Sequence, residues 1–168
     1  METLDLRAEA SAPGDSRTFV HKVCTSWALP EERIDIAALL TSELVTNAIQ
    51  ATGVTETQPV VVLTCADLQL VWVRLVERKD SFVIEVWDTS PQPPRLVEPC
   101  DDSQHGRGLQ LVNALSIRWG YYDTHMGSKV VWCELSRAEA PDTNGNDNPV
   151  ACQKIIEGIQ AHFWSEHA

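Results

Sequence analysis

Glu43 and Asn47 are a carboxylate and an amide four residues apart inside residues 39–49, a segment that is otherwise mostly apolar. At about 100° per residue their side chains project within about 40° of each other on a helix, with Leu40 on the same side. The helix is apolar nearly all round, which predicts that it is sandwiched in the core. Burying an ionised carboxylate without a partner is costly, so Glu43 requires a cation, a proton to accept or a ligand that Asn47 can share.

Three further motifs carry residue types that could take part in chemistry. Asp88 ends the strand-like Val-Trp-Asp at 86–88, two glycines occur in His-Gly-Arg-Gly-Leu at 105–109, and Gly-Ser-Lys-Val-Val-Trp spans 127–132. Each residue also has an ordinary structural explanation. Glu43 can pair with an Arg or Lys, Asp88 can be a turn acid, and the glycines can end a loop before a helix.

The composition indicates one globular domain with a tail. The chain has 168 residues, of which 43% are hydrophobic and 22% are charged, which is enough to bury one good core. No run approaches the roughly eighteen apolar residues of a membrane span, and residues 1–9 carry acids where a signal peptide would be basic and then apolar. We therefore expect a cytoplasmic protein that does not enter a membrane.

Charge and cysteine usage exclude several classes of protein. The net charge of −11 opposes direct contact with nucleic acid, so any nucleotide must be held locally, with a metal. The odd number of scattered cysteines, without a Cys-x-x-Cys pair, predicts neither a disulfide framework nor a zinc site. The five cysteines are Cys24, Cys65, Cys100, Cys133 and Cys152.

Hydrophobic periodicity predicts an α/β core followed by a separate C-terminal helix. The domain is expected over 1–138, a polar linker over 139–149, and an amphipathic helix over 150–168. The predicted core helices are 13–29, 30–52 and 106–115, and the predicted strands are 3–7, 59–65, 68–77, 82–88, 117–123 and 129–135.

Taken in order, the four motifs resemble those of the GHKL ATPase superfamily. Within it, the short chain and the Ser-Glu-Leu-Val-Thr-Asn-Ala sequence at 42–48 look most like anti-sigma-factor serine/threonine kinases of the RsbW and SpoIIAB type. The similarity covers about residues 5–136. It implies a two-layer α/β sandwich in which a mixed, mostly antiparallel sheet of five or more strands carries three helices on one face, with ATP between helix and sheet.

The resemblance implies a role for each polar residue. Asn47 would ligate a Mg²⁺ that bridges the phosphates of ATP, because an uncharged oxygen ligand suits a metal that keeps several waters. Glu43 would be the general base that accepts the proton of a partner's serine hydroxyl. Asp88 would recognise adenine by accepting a hydrogen bond from its exocyclic amino group.

The remaining implied site residues surround the phosphates and the base. Gly106 and Gly108 would let backbone N–H groups approach the phosphates at the start of a helix, whose positive end favours anions. Arg107 would add a cation there, and Leu109 and Ser128 complete the implied cofactor-binding set.

Three departures from the family pattern stand out. Prolines follow Asp88 where the family usually has glycines, and prolines stiffen a loop. The arginine that these kinases tend to carry before the second glycine motif is replaced by Ser-Gln-His at 103–105. The usual threonine of the closing motif is replaced by Ser128 or by Val130, depending on a one-residue shift in alignment.

Three functions are compatible with the sequence. The first is an ATP-dependent kinase that phosphorylates an anti-anti-sigma protein of the STAS type, sequesters a sigma factor, or does both. The second is a noncatalytic switch on the same fold that binds ATP weakly or not at all. A detached histidine-kinase catalytic module ranks last, because no dimerising helix that bears a histidine is present. Apolar area on the second face of the sheet would favour a homodimer or a sigma-factor interface.

Overall fold

The computed structural model describes residues 1–52, 70–94, 108–124 and 127–138. Three helices and five strands occupy these ranges. In chain order they are β1 (Glu2–Arg7), α1 (Ala12–Ser26), α2 (Glu31–Thr52), β2 (Leu70–Glu77), β3 (Ser81–Asp88), α3 (Gly108–Leu115), β4 (Arg118–Asp123) and β5 (Lys129–Ser136). The strand predicted over 59–65, the linker and the C-terminal helix lie outside the described residues.

The strands form one sheet in the order β1-β2-β3-β5-β4, and each of the four pairings is antiparallel. The predicted two-layer α/β sandwich is confirmed, with a sheet that is entirely antiparallel within the described residues. β3 and β5 pair along their whole length, so that Asp88 lies opposite Lys129. This pairing brings the end of one central strand to the start of the other.

Alternation along the strands builds the core. In β2, Val71, Val73 and Leu75 are fully buried. The core continues into β3, which pairs antiparallel with β2, and into β5, which pairs antiparallel with β3. Because successive side chains point to opposite faces, these residues form one apolar surface toward the helices. The same surface includes Leu6, Phe82, Ile84, Val86, Val131, Cys133 and Leu135.

Helix α2 crosses this apolar surface and is the longest of the described elements. Glu31 and Glu32 lie in its first turn, where carboxylates interact favourably with the positive end of the helix. Leu40, Leu44 and Val45 are at most 2% exposed. The predicted placement of this helix in the core is therefore confirmed. None of the helices in the described ranges is long and apolar enough to cross a membrane.

Helix α1 ends three residues before the predicted end at residue 29. The N–H of Leu29 donates to the carbonyl oxygen of Cys24 and that of Ala28 to Thr25, while Ala28 has a φ of 54°. This is the hydrogen-bond pattern of a Schellman cap, in which a left-handed residue ends the helix. Glycine is the usual residue at that position, and the alanine there gave no sequence signal for the end of the helix.

Two cysteines lie inside the core as free thiols. Burial raises the pKa of Cys24 and that of Cys133 to about 12 each. Both thiols are therefore protonated at neutral pH and act as small apolar side chains. The other three cysteines lie outside the described ranges.

Candidate functional site

A cavity of about 190 Å³ lies between α2, α3 and the ends of β3 and β5. This volume is below the roughly 300–1,000 Å³ of typical ligand pockets, so the part bounded by described residues suits a portion of a nucleotide, such as its base. The residues that line it are Leu44, Asn47, Ala48, Ala51, Val86, Asp88, Gln92, Pro93, Pro94, Leu109, Lys129 and Val131.

Asp88 forms the acidic end of the cavity and is only 1% exposed. The Lys129 ammonium donates to its Oδ1 at 2.7 Å, and the Ser90 backbone N–H donates to the same oxygen at 2.8 Å. Burial raises the pKa of Asp88 above its ordinary value, and the hydrogen bonds from Lys129 and Ser90 oppose that rise. The carboxylate is thus a desolvated acceptor held in a fixed orientation.

The proline-containing loop after Asp88 is fixed by the same group of residues. Lys129 Nζ also donates to the Ser90 carbonyl oxygen at 3.2 Å, and the Gln92 N–H donates to Ser90 Oγ at 3.3 Å. Gln92, Pro93 and Pro94 then form one wall of the cavity. A rigid, proline-based wall stands here in place of the glycines that the family pattern leads one to expect.

The other end of the site is formed where the start of α3 meets the middle of α2. A Cβ atom at Gly108 would lie 2.6 Å from Glu43 Oε2 and 3.2 Å from Asn47 Nδ2. Glu43 and Asn47 are both half-buried, and Asn47 lines the cavity. The structure therefore brings together three of the residues selected from the sequence, and a glycine is what allows this close approach.

The remaining predicted residues fall into different places. Leu109 lines the cavity, whereas Gly106 and Arg107 lie outside the described residues. Ser128 is 3% exposed, does not line the cavity, and shares a short hydroxyl–hydroxyl hydrogen bond with Thr124. Its proposed role in cofactor binding stays a prediction.

Lys129 is a charged residue of the cavity that was not predicted from the sequence. It lies on the same face of β5 as Val131 and Cys133, which belong to the core. Val130 alternates with these residues and belongs to the opposite face, and Ser128 directly precedes the strand. The period of two along the strand, counted back from the core residues, was the signal that could have identified Lys129.

The described residues contain no cluster of three or more His, Cys, Asp or Glu side chains that could hold a metal by itself. Asn47 is half-buried, lines the cavity and carries one amide oxygen that could serve as a ligand. Mg²⁺ usually keeps several waters and takes only one or two ligands from the protein when it is bound with phosphates. The residues present therefore fit a magnesium–phosphate complex better than a metal site built from protein alone.

A two-layer sandwich that encloses a cavity, with a buried acid at one end and a glycine that starts a helix at the other, defines a ligand-binding α/β domain. The chain belongs to the family described as the histidine kinase-like ATPase domain, which matches residues 6–133. The resemblance to the GHKL superfamily is therefore confirmed. The family description itself implies a nucleotide as the ligand.

One solved structure with the same fold contains the RsbU and RsbW domains of Rv1364c from Mycobacterium tuberculosis. It matches with a TM-score of 0.53 and 14% sequence identity, over 84% of this chain and 34% of that chain. This chain thus spans about a third of the length of that chain, and at this identity the likeness establishes the fold alone. None of the curated proteins compared with the chain matches it.

Proposed function

We propose that the protein is an ATP-binding regulator that phosphorylates a serine or threonine of an anti-anti-sigma protein of the STAS type. Sequestration of a sigma factor would accompany this activity. The observation that carries the proposal is the close approach at Gly108, because it gathers a carboxylate, an amide and a helix start beside a cavity that ends in a buried acid. A base, a metal ligand, a phosphate site and an adenine acceptor are the four parts that such a kinase needs.

In this proposal the nucleotide extends from Asp88 toward the first turn of α3. Asp88 accepts a hydrogen bond from the exocyclic amino group of adenine. The N-terminal N–H groups of α3 face the phosphates, and the partial positive charge of a helix start favours anions. This local attraction is needed because the chain as a whole carries a charge of −11.

Asn47 is the residue that would hold Mg²⁺ against the phosphates. The metal would neutralise charge that develops on the phosphoryl oxygens. Asn47 lines the cavity one helical turn after Glu43. The ligand and the base are therefore fixed relative to each other by the backbone of one helix.

Glu43 is the proposed general base. Its carboxylate takes the proton of the partner's hydroxyl group while the hydroxyl oxygen forms a bond to the γ-phosphorus. The bond from that phosphorus to the β,γ-bridging oxygen breaks, and ADP leaves with the bonding electron pair. Glu43 is half-buried beside Gly108, so it is shielded enough to be oriented and open enough to meet a hydroxyl group.

Gly108→Ala is expected to lower the phosphotransfer rate by about 10²-fold while the fold is retained. The added methyl group would lie 2.6 Å from Glu43 Oε2, so the flexible carboxylate must move, and a displacement near 1 Å can cost about that factor. The measurement is the transfer rate together with the thermal unfolding midpoint. Gly14→Ala is the matched control, because a Cβ there lies 3.8 Å from Arg17. A normal rate in Gly108→Ala would show that the approach of α3 to Glu43 does not matter.

A noncatalytic switch is the second candidate, and one observation favours it. Lys129 already occupies Oδ1 of Asp88, and prolines form the neighbouring wall, so part of the adenine acceptor is used inside the protein. A protein of this kind would bind its partner without transferring phosphate. Its ATP affinity would be weak or absent.

The test is transfer of labelled γ-phosphate from ATP with Mg²⁺ to STAS-type proteins encoded in the same genome. We expect a labelled serine or threonine on one of these STAS-type proteins and no label when Mg²⁺ is chelated. Binding to such a partner, or to a sigma factor, without any transfer would favour the noncatalytic switch. A homodimer stays a separate prediction, which sedimentation over a range of concentrations can check.

A further inference from the structure

Lys129 is a buried cation that lines the cavity, and the described residues leave one of its hydrogen-bond donors unused. Its side chain is 4% exposed, and it lines the cavity beside Asp88. An ammonium group has three N–H donors. Among the described residues, Nζ meets two acceptors, Asp88 Oδ1 at 2.7 Å and the Ser90 carbonyl oxygen at 3.2 Å.

Asp88 has the complementary property. Both of its hydrogen bonds within the described part of the chain reach Oδ1, so Oδ2 is the acceptor that it still offers. Asp88 and Lys129 are directly opposite in the β3–β5 pairing, and both line the cavity. The base end of the site therefore presents an acceptor and a donor side by side.

We propose that Lys129 is a specificity-determining residue that donates a hydrogen bond to ring nitrogen N1 of adenine. This inference rests on the proposed ATP-binding function. Adenine carries an amino donor at C6 next to the acceptor N1, and this order matches Asp88 Oδ2 followed by Lys129 Nζ. Guanine and hypoxanthine carry an oxygen at C6 and a proton on N1, so a base in the same orientation would set its O6 against the carboxylate.

A purely structural role for Lys129 predicts a different outcome. If the ammonium only neutralised Asp88 and fixed the loop, removing it would weaken the binding of every adenine nucleotide by the same factor. If Lys129 contacts N1, removing it lowers the affinity more for a nucleotide that has N1 than for one that lacks it. The discriminating quantity is therefore the ratio of two affinities measured on one variant, which is insensitive to a general loss of binding.

The experiment compares the affinities for ATP and for 1-deaza-ATP, in which a C–H group replaces N1. The control nucleotide is 7-deaza-ATP, which is altered on the other ring and keeps N1. The proteins are the full chain, Lys129→Met, and Lys79→Met, which removes an exposed lysine. We expect the full chain and Lys79→Met to bind 1-deaza-ATP about tenfold to a hundredfold more weakly than ATP. In Lys129→Met the two affinities should agree within about twofold, and 7-deaza-ATP should follow ATP in all three proteins.

Lys129→Met leaves a buried carboxylate without its cation, so the double variant Asp88→Asn with Lys129→Met is included to remove both charges together. It should also lose the preference for ATP over 1-deaza-ATP. Persistence of the preference without Lys129, or its absence in the full chain, would overturn the role of Lys129 while leaving ATP binding intact. Tighter ATP binding by Lys129→Met would overturn it too, because Lys129 would then obstruct the site. Failure of the full chain to bind ATP at all would overturn the proposed function and this inference together.

Discussion

Glu43→Gln is expected to reduce the rate of phosphotransfer by about 10²–10⁴-fold, the usual contribution of a general base. The affinity for ATP should stay within about twofold, because a base acts on the attacking hydroxyl group in the transition state and contributes little to ground-state binding. Glutamine keeps the size of the side chain beside Gly108, so the close packing there is preserved. Single-turnover transfer to the partner, together with calorimetric titration of ATP, measures the two effects separately.

Glu31→Gln provides the matched control for this substitution. Glu31 is an exposed carboxylate in the first turn of the same helix, so it reports the effect of removing one negative charge from α2. Its transfer rate should equal that of the unmodified protein. Equal rates for Glu43→Gln and the unmodified protein would remove Glu43 from catalysis and leave it a structural residue of the helix.

Asn47→Ala is expected to fail at an earlier step than Glu43→Gln. Loss of the proposed Mg²⁺ ligand removes the group that holds the metal against the phosphates, so ATP affinity and turnover should both fall, each by at least about tenfold. The affinity of the variant for ATP should also lose most of its dependence on Mg²⁺ concentration. Titrations of ATP at several Mg²⁺ concentrations measure that dependence directly.

Gln50→Ala tests whether any amide removed from α2 would have the same effect. Gln50 is an exposed amide three residues further along the helix, and its removal should change neither the affinity nor the Mg²⁺ dependence. If Asn47→Ala kept the normal Mg²⁺ dependence, the metal would have to be held by other residues. Glu43→Gln and Asn47→Ala should thus differ in kind, because the first loses the chemical step and the second loses the bound metal nucleotide.

Much of the fold could be predicted from the sequence because its elements differ in composition and pattern. The run rich in β-branched and aromatic residues at 68–77 predicted β2, and the long apolar helix around Leu40 predicted α2. The predicted end of α1 was wrong, since Ala28 adopts a left-handed conformation that only its surroundings in the fold enforce. Such a cap depends on hydrogen bonds back into the helix, and an alanine gives no sign of them.

The candidate site was predicted in part, and the difference follows from how each residue reaches the cavity. Glu43 and Asn47 share a helix face, so a count of residues was enough to place them together. Asp88 and Lys129 meet only because β3 pairs with β5 in one particular register, which the sequence does not state. The threonine position of the family aligns with Ser128 or Val130, so the lysine between them was not predicted as a site residue.

Calorimetric titration of ATP with Mg²⁺ into the protein and into Asp88→Asn tests whether the cavity that ends at Asp88 binds ATP. We expect saturable binding at one site, weakened about tenfold or more in the variant, because one charged hydrogen bond contributes about 1.5–3 kcal/mol. The thermal unfolding of Asp88→Asn should remain cooperative, which separates loss of the ligand from loss of the fold. Equal affinities in the two proteins would remove Asp88 from the site, and no binding of ATP by the unmodified protein would contradict the proposed function.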